Sequence, residues 1–436
     1  MQALDPLAVA QSLIRIDTTN PPGRERAAIE HLAAALREAG LDSAVLAMDP
    51  ERPNLVVRLE GEGTAPPLLL HGHVDVVPAD PAEWARDPFG GVAVDGELWG
   101  RGALDMKGGV AMLAAALTRL AASGERPAGD VILLVMSDEE AGSRVGARYV
   151  VDEHPGLLDG VRHAIGEGGG FTSWLGGRPF YPVAVTEKKR CLLRAVCRGA
   201  AGHASAISRD PAMARVGALL TRLTGERLPV LVTAPAELML RELAAGLGRP
   251  ELLGLLDPER TDAVLREAGG ELDGLEALLR NTVAPTMLRG AAVPNVHPAE
   301  VAVTLDARLV PGQEVQGVMA ELELLGGDVA EFHLVEEEPP TLAGEDLDLL
   351  PLIREVLGEA DPGAVAVPAL ITGFTDARHF ARLGIQNYGF LPMRLPADRG
   401  MQLMHSADER IPVSELEFGA ACLHELLRRY GRPAAL

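Results

Sequence analysis

Cysteine is nearly absent from this chain: three residues in 436, Cys191, Cys197 and Cys422, with no C-x-x-C spacing among them. That excludes a disulfide framework and a cysteine-based metal site, and it suits a reducing compartment, so the expected location is cytoplasmic. Lysine occurs at only three positions, 107, 188 and 189, and the other basic residues are arginine. Basic charge is outnumbered, 40 Lys and Arg against 62 Asp and Glu, and no basic run interrupts the formal net charge of −22. Phosphate backbones and anionic lipid surfaces are therefore poor partners, and neither nucleic acid nor a membrane is expected. No uncharged stretch approaches the ~18 apolar residues needed to cross a bilayer. The opening Met1-Gln-Ala-Leu-Asp-Pro6 lacks the basic region and apolar core of a secretory signal.

What is present is an ordinary globular composition, 47% hydrophobic and 23% charged. At about 150 residues per domain the length suits two or three domains. Helix-like periodicity over 6–16, 25–39 and 108–122 alternates with apolar runs at 54–59, 68–77 and 131–137, the pattern of an α/β sheet covered on both faces. The texture changes near 186. Strand-like 187–198, helical 210–223, a leucine-rich helical stretch from 237 to 280 and strand-like 299–309 and 329–335 form an α+β unit. From 346 the α/β pattern resumes, with a helix at 346–359, strands at 365–371 and 385–390, and a last helix at 414–430. The expected organisation is one α/β domain, residues 1–185 and 339–436, interrupted by an inserted α+β domain over 186–338.

Chemistry concentrates at strand ends. In Leu68-Leu-Leu-His71-Gly-His73-Val-Asp75-Val-Val-Pro78, period-two geometry turns His71, His73 and Asp75 to one face, and a carboxylate two residues after a histidine can hold its second ring nitrogen. A strand end with structural histidines is the alternative, and His71 is given no role. Asp105 in Gly100-Arg-Gly-Ala-Leu-Asp105-Met-Lys-Gly-Gly109 precedes a helical run and reads either as a helix cap or as a ligand. Met136-Ser-Asp138-Glu139-Glu140 follows a buried strand, where open α/β sheets place their crevice. Ala164-Ile-Gly-Glu167-Gly-Gly-Gly170 sets one carboxylate among glycines, and Leu403-Met-His405-Ser-Ala-Asp-Glu409 adds a late histidine. Together they supply nitrogen and oxygen ligands suited to zinc or a similar divalent ion. No G-x-G-x-x-G follows the first strand, so a nucleotide-dependent oxidoreductase is not expected.

In this order the motifs H-x-D-x-V-P, G-x-x-D-x-K-G-G, a Glu-Glu pair, a lone Glu and a late His resemble the M20 co-catalytic metallopeptidases and amidohydrolases, which include aminoacylases, glutamate carboxypeptidase and succinyl-diaminopimelate desuccinylase. The resemblance runs over nearly the whole chain. It implies a catalytic domain of mixed sheet flanked by helices, and a two-zinc site with Co²⁺ or Mn²⁺ as alternatives. His73 and Glu167 would hold one metal, Glu140 and His405 the other, and Asp105 both; Asp75 would orient His73 and Glu139 would be the general base. Two Zn²⁺ against Asp105, Glu140, Glu167 and one bridging hydroxide is a neutral sum, which avoids burying net charge.

For the inserted domain the resemblance implies a lid. His203 in Gly199-Ala-Ala-Gly-His203 would stabilise the oxyanion, and Asn295 in Val293-Pro-Asn295 and Arg308 in Leu305-Asp-Ala-Arg308 would meet substrate carboxylate and oxyanion. A turn cap for His203 and a surface strand position for Arg308 are the plain alternatives. Gly373 in Thr372-Gly373-Phe374-Thr-Asp-Ala377 matches a glycine near the substrate carboxylate, while Phe374 stands where the family's second glycine is usual. The 237–280 stretch resembles insertions of the carboxypeptidase-S-like branch. A homodimer through the lid is one expectation, and an enlarged lid could instead block that interface. The implied activity is hydrolysis of an amide or peptide bond next to a free carboxylate, in a dipeptide, a C-terminal residue or an N-acyl amino acid. A non-catalytic metal-binding or regulatory protein of the same fold is the alternative.

Overall fold

The computed structural model describes residues 2–344 and 347–433. The chain divides into two compact units, one formed by residues 1–185, 344–369 and 375–436, the other by 186–343 and 370–374.

The first unit is built on a mixed sheet of nine strands among the described residues. At its centre Leu68–His73 runs parallel to Val131–Met136 on one side and to His163–Gly166 on the other, and Gln386–Gly389 pairs parallel with the latter. Asn54–Leu59 and Ser43–Leu46 extend one edge antiparallel, and Arg178–Glu187 adjoins Gln386–Gly389 antiparallel on the other side. All six residues of Leu68–His73 and of Val131–Met136 are buried, as strands covered on both faces must be. One face carries the large core of helices Pro6–Ile14, Arg26–Glu38, Lys107–Ser123, Leu350–Ala360 and Val413–Arg429. The other packs Leu69, Ile132 and Leu134 against Val150, Val151 and Phe380. The helix expected over 346–359 is thus Leu350–Ala360; residues 345 and 346 lie outside the described residues.

Register decides where the chemistry falls. His73 pairs with Met136, and Gly166 with Gly389, so the parallel strands end at one edge and their following loops begin side by side. Two close approaches hold this arrangement. Gly419 of the last helix would drive a Cβ to 2.4 Å from Met112 Sδ of the central helix. Gly166 would place one 2.2 Å from His71 Nε2. His71 is buried, bonded through Nε2 to Asn387 Oδ1 at 2.7 Å and packed on the Phe380 ring, so it is a core residue.

In the second unit Thr282–Arg289, Glu300–Leu309, Lys189–Arg198 and Glu331–Glu337 form an antiparallel sheet in that order. Helices Ala212–Gly225 and Val315–Gly326 pack on its apolar face, which is made by alternate residues such as Cys191, Leu193, Ala195 and Val303, Leu305, Ala307. The leucine-rich stretch folds into Ala234–Leu247, Thr261–Glu267 and Asp273–Glu276 with a tight helical turn between the first two. Lys188 ties its end to the sheet: its buried ammonium donates to the carbonyls of Ala277 and Arg280 and to Thr282 Oγ1 at 2.8–3.1 Å.

Because the His71 ring is fixed on both sides, Gly166→Ala should destabilise the protein by about 1–3 kcal/mol, the usual cost of overpacking. Urea unfolding of the two proteins measures it, and an unchanged midpoint would mean that the ring moves aside freely.

Candidate metal centre

The loops after the parallel strands bring seven of the expected side chains together. His73 closes its strand, and Asp105 precedes the helix Lys107–Ser123, whose cap residue Met106 makes no side-chain capping bond. Asp105 therefore does not cap the helix; its carboxylate is divided between two histidines. Oδ1 lies 3.2 Å from His73 Nε2 and Oδ2 lies 2.9 Å from His405 Nε2. The same nitrogen of His73 stands 3.5 Å from Glu167 Oε2, and that of His405 stands 3.3 Å from Glu140 Oε2. Two clusters result, His73–Asp105–Glu167 and Asp105–Glu140–His405, each with donor atoms within 4.8 Å of one another and sharing one carboxylate.

Asp75 is more than a partner for His73. His73 Nδ1 meets the Asp75 main-chain oxygen at 2.9 Å and its carboxylate at 3.5 Å. The carboxylate makes its closer contacts elsewhere: it accepts the successive backbone N–H groups of Glu139 and Glu140 at 3.1 Å each, and the Asn20 amide at 2.8 Å. Asn20 also reaches Asp138, which pairs with Arg52, itself paired with the buried Glu25. Asp138 and His405 hold φ of 74° and 59°, a left-handed backbone that costs non-glycine residues about 1–3 kcal/mol unless the surroundings fix it.

Charge at the centre is unbalanced by protein groups alone. Burial, reinforced by the nearby Glu167, pushes the Glu139 carboxyl well above its ordinary range, although His73 and Arg378 act the other way; Arg378 Nη1 is 3.9 Å from its Oε1. Burial raises Glu167 to about 7. Hydrogen bonds to Asp105 and Glu140 raise His405 to about 10. Burial alone would lower His73, but Glu167, Asp105 and Asp75 hold it well above the imidazole range. The two histidines supply only part of the positive charge that the surrounding carboxylates need. Oε1 of Glu139 and Oε1 of Glu140 are nonetheless buried without a hydrogen-bond partner. Buried acceptors without hydrogen bonds are costly, and a divalent cation on the Glu140 side would satisfy one of them. The imidazole and carboxylate donor set fits zinc or a similar ion.

The four residues expected on the substrate side lie in the second unit. His203 and Asn295 come together: Gly202–His203 pairs with Val296–His297, and Ala204 N donates to Asn295 O at 3.0 Å. His203 is exposed, with Nδ1 2.8 Å from Ser205 Oγ. Arg308 spans Asp306 through Nε and Nη2 and lies over the Phe374 ring at 4.8 Å, beside Gly373. Sequence reasoning missed Asn20, Arg52, Arg378 and Glu409. Only Glu409 had a signal, its place four residues after His405.

The fold and this centre define a hydrolase of the metallopeptidase class. The chain belongs to peptidase family M20/M25/M40, whose sequence model matches residues 69–429. It is 30% identical over 446 residues to the succinyl-diaminopimelate desuccinylase of Cereibacter sphaeroides, covering 98% of this chain and 99% of that protein. It is 29% identical to the human N-fatty-acyl-amino acid synthase/hydrolase PM20D1, over 83% of this chain and 74% of that one. The M20 family metallo-carboxypeptidase Sso-CP2 from Sulfolobus solfataricus shares the fold with a TM-score of 0.72, at 20% identity over 98% of this chain and all of that one. Among the described residues no helix is long and apolar enough to cross a membrane.

A ligating imidazole must be neutral, and both histidines here are held protonated at neutral pH. Zinc loading of the metal-free protein should therefore release protons, about one per histidine with a further share from Glu167, raised to about 7, and affinity should rise with pH until His405 titrates near 10. Calorimetry in two buffers of different ionisation heat measures this; zero release would contradict the assigned charges.

Proposed function

We propose that this protein is a metal-dependent hydrolase that cleaves an amide or peptide bond adjacent to a free carboxylate, with zinc as the working ion and Co²⁺ or Mn²⁺ as alternatives. The observation that carries the reading is the divided Asp105 carboxylate, one oxygen facing each cluster. His73 and Glu167 would hold one ion, Glu140 and His405 the other, and Asp105 would serve both. A pair of divalent cations, when bound, supplies the lowered water pKa and the carbonyl polarisation that amide hydrolysis needs.

The chain's own residues do the rest. Asp75 fixes the backbone of both Glu139 and Glu140, so base and ligand are set by one carboxylate. Glu139, buried and with Oε1 free of hydrogen bonds, takes the proton of the attacking water and delivers it to the leaving nitrogen. His203 and Asn295 stabilise the oxyanion, and Arg308 with Gly373 receives the substrate carboxylate, a task suited to a planar guanidinium. The substrate class is a short peptide or N-acyl amino acid. The names of two relatives support it, since both describe acylated amino acids. The three cysteines are buried and unpaired, which supports a cytoplasmic setting.

A panel of dipeptides and N-acyl amino acids, assayed for amine release with metal-free and zinc-reloaded protein side by side, tests the reading. Release restored by zinc is expected, and silence across the panel with two ions bound would sink it. Glu139→Gln should keep both ions and lose kcat by about 100-fold or more, the scale of general acid–base catalysis; retained turnover would remove it as the base. Arg308→Ala should raise KM most for substrates with a free carboxylate. An equal loss on their amidated counterparts would dismiss that role.

A further inference from the structure

Glu409 is a fully buried carboxylate in neither metal cluster. Every one of its side-chain hydrogen bonds goes to a single short loop. Oε1 accepts the successive N–H groups of Leu104 and Asp105 at 2.7 and 3.0 Å. Oε2 accepts the N–H of Gly102 at 3.1 Å and Arg101 Nη1 at 2.6 Å. Its main-chain oxygen accepts Gly100 N at 3.0 Å, so the loop 100–105 is wrapped on this one residue. Arg101 is held from the far side, its guanidinium 5.2 Å from the centre of the Trp84 ring.

We propose that Glu409 is the positioning residue of the shared ligand: it fixes the backbone of Asp105 so that one carboxylate meets both histidines. The same device appears at Asp75, which accepts the successive N–H groups of Glu139 and Glu140. Each half of the centre thus has a non-ligand carboxylate gripping the two backbone amides at or before a ligand. Glu409 adds a second function, since it follows His405 by four residues, and His405 Nε2 lies 2.9 Å from Asp105 Oδ2. The grip joins the loop of the shared ligand to the loop of the late histidine. A role in packing alone would not call for a charge here, because a buried ion pair with Arg101 gains little over an apolar filling of similar volume.

The inference rests on reading Asp105 as the ligand common to both ions, and it is tested on metal itself. Metal-free wild-type, Glu409→Gln and Glu409→Asp proteins are titrated with zinc against a competing chelator, with circular dichroism and thermal unfolding recorded without metal. In Glu409→Gln an amide NH₂ faces donors, and in Glu409→Asp the charge stays but the grip is withdrawn by one methylene. Both variants should fold without metal, lose about 10- to 100-fold in zinc affinity at both positions together, the scale of an outer partner of a ligand, and regain kcat in excess zinc with KM unchanged. Wild-type affinity in either folded variant, or a loss at one position alone, overturns the proposal. Should Glu409→Gln fail to fold, Glu409→Asp decides by itself, since it keeps a buried negative charge on the side of Arg101. A wild-type protein that takes fewer than two zinc ions overturns the shared-ligand reading, and this inference with it, and that result is visible before any variant is compared.

Discussion

Buried carboxylates need positive charge close by, and much of this molecule is arranged around that constraint. Asp75, Asp105, Glu139, Glu140 and Glu167 all lie at the carboxyl edge of one sheet, and most of them are withdrawn from water. In a low-dielectric setting such a group is stable only with cations and hydrogen-bond donors supplied locally. The protein supplies two histidines and backbone N–H groups, with one arginine near the base. That is less positive charge than five carboxylates call for, and the divalent ions of the proposed function would make up the difference. Burial raises Glu167 and Glu139 while hydrogen bonds from the histidines hold Asp105 low, which shows how unevenly the protein alone distributes charge.

Placement of those groups follows from sheet geometry more than from local preference. Parallel strands in register end together, so loops distant in sequence start as neighbours. The loops are then fixed by polar grips. Asp75 accepts the amides of the Glu139–Glu140 turn, and Asn20, Asp138, Arg52 and Glu25 continue from it toward the first helices. Glu409 does the same for the Asp105 loop. These chains of buried polar groups add little net stability. What they contribute is a fixed geometry for the clustered side chains, which stand on turns where Asp138 and His405 carry a left-handed backbone.

How legible this was depended on which interactions each feature rests on. The apolar runs 68–77 and 131–137, the helices at 6–16 and 25–39 and the last helix all announce themselves, because burial on both faces or on one stripe writes a local pattern. The strand Thr282–Arg289 does not: it is an edge strand, mostly exposed, with Pro285 at a register shift, so neither alternation nor composition marks it. The residues of the two clusters were readable because their types are rarely buried without a partner or an ion. Asn20, Arg52 and Arg378 were not, since the partners that tie them to the centre lie between 27 and 239 positions away and each residue by itself suits an ordinary loop or helix. Asp75 was assigned one task by spacing, and the fold gives it a further one that only tertiary structure defines.

The second unit shows how a single residue changes what its neighbours can do. Arg308 and Arg190 are register partners on adjacent strands, and both reach Asp306, so the two guanidinium groups share one carboxylate. The ring of Phe374 lies 4.8 Å from Arg308 and 5.8 Å from Arg190, close enough for a cation–π contact with each. Arg308 is thus held at two of its nitrogens by Asp306 and on one face by the ring. On the proposed reading a substrate carboxylate meets an arginine already oriented. Orientation before binding lowers the side-chain entropy lost on association, while the ring removes space that a glycine would leave open. Discrimination between substrates then turns on the bulk beside their carboxylate, because the charge that recognises the carboxylate is common to all of them.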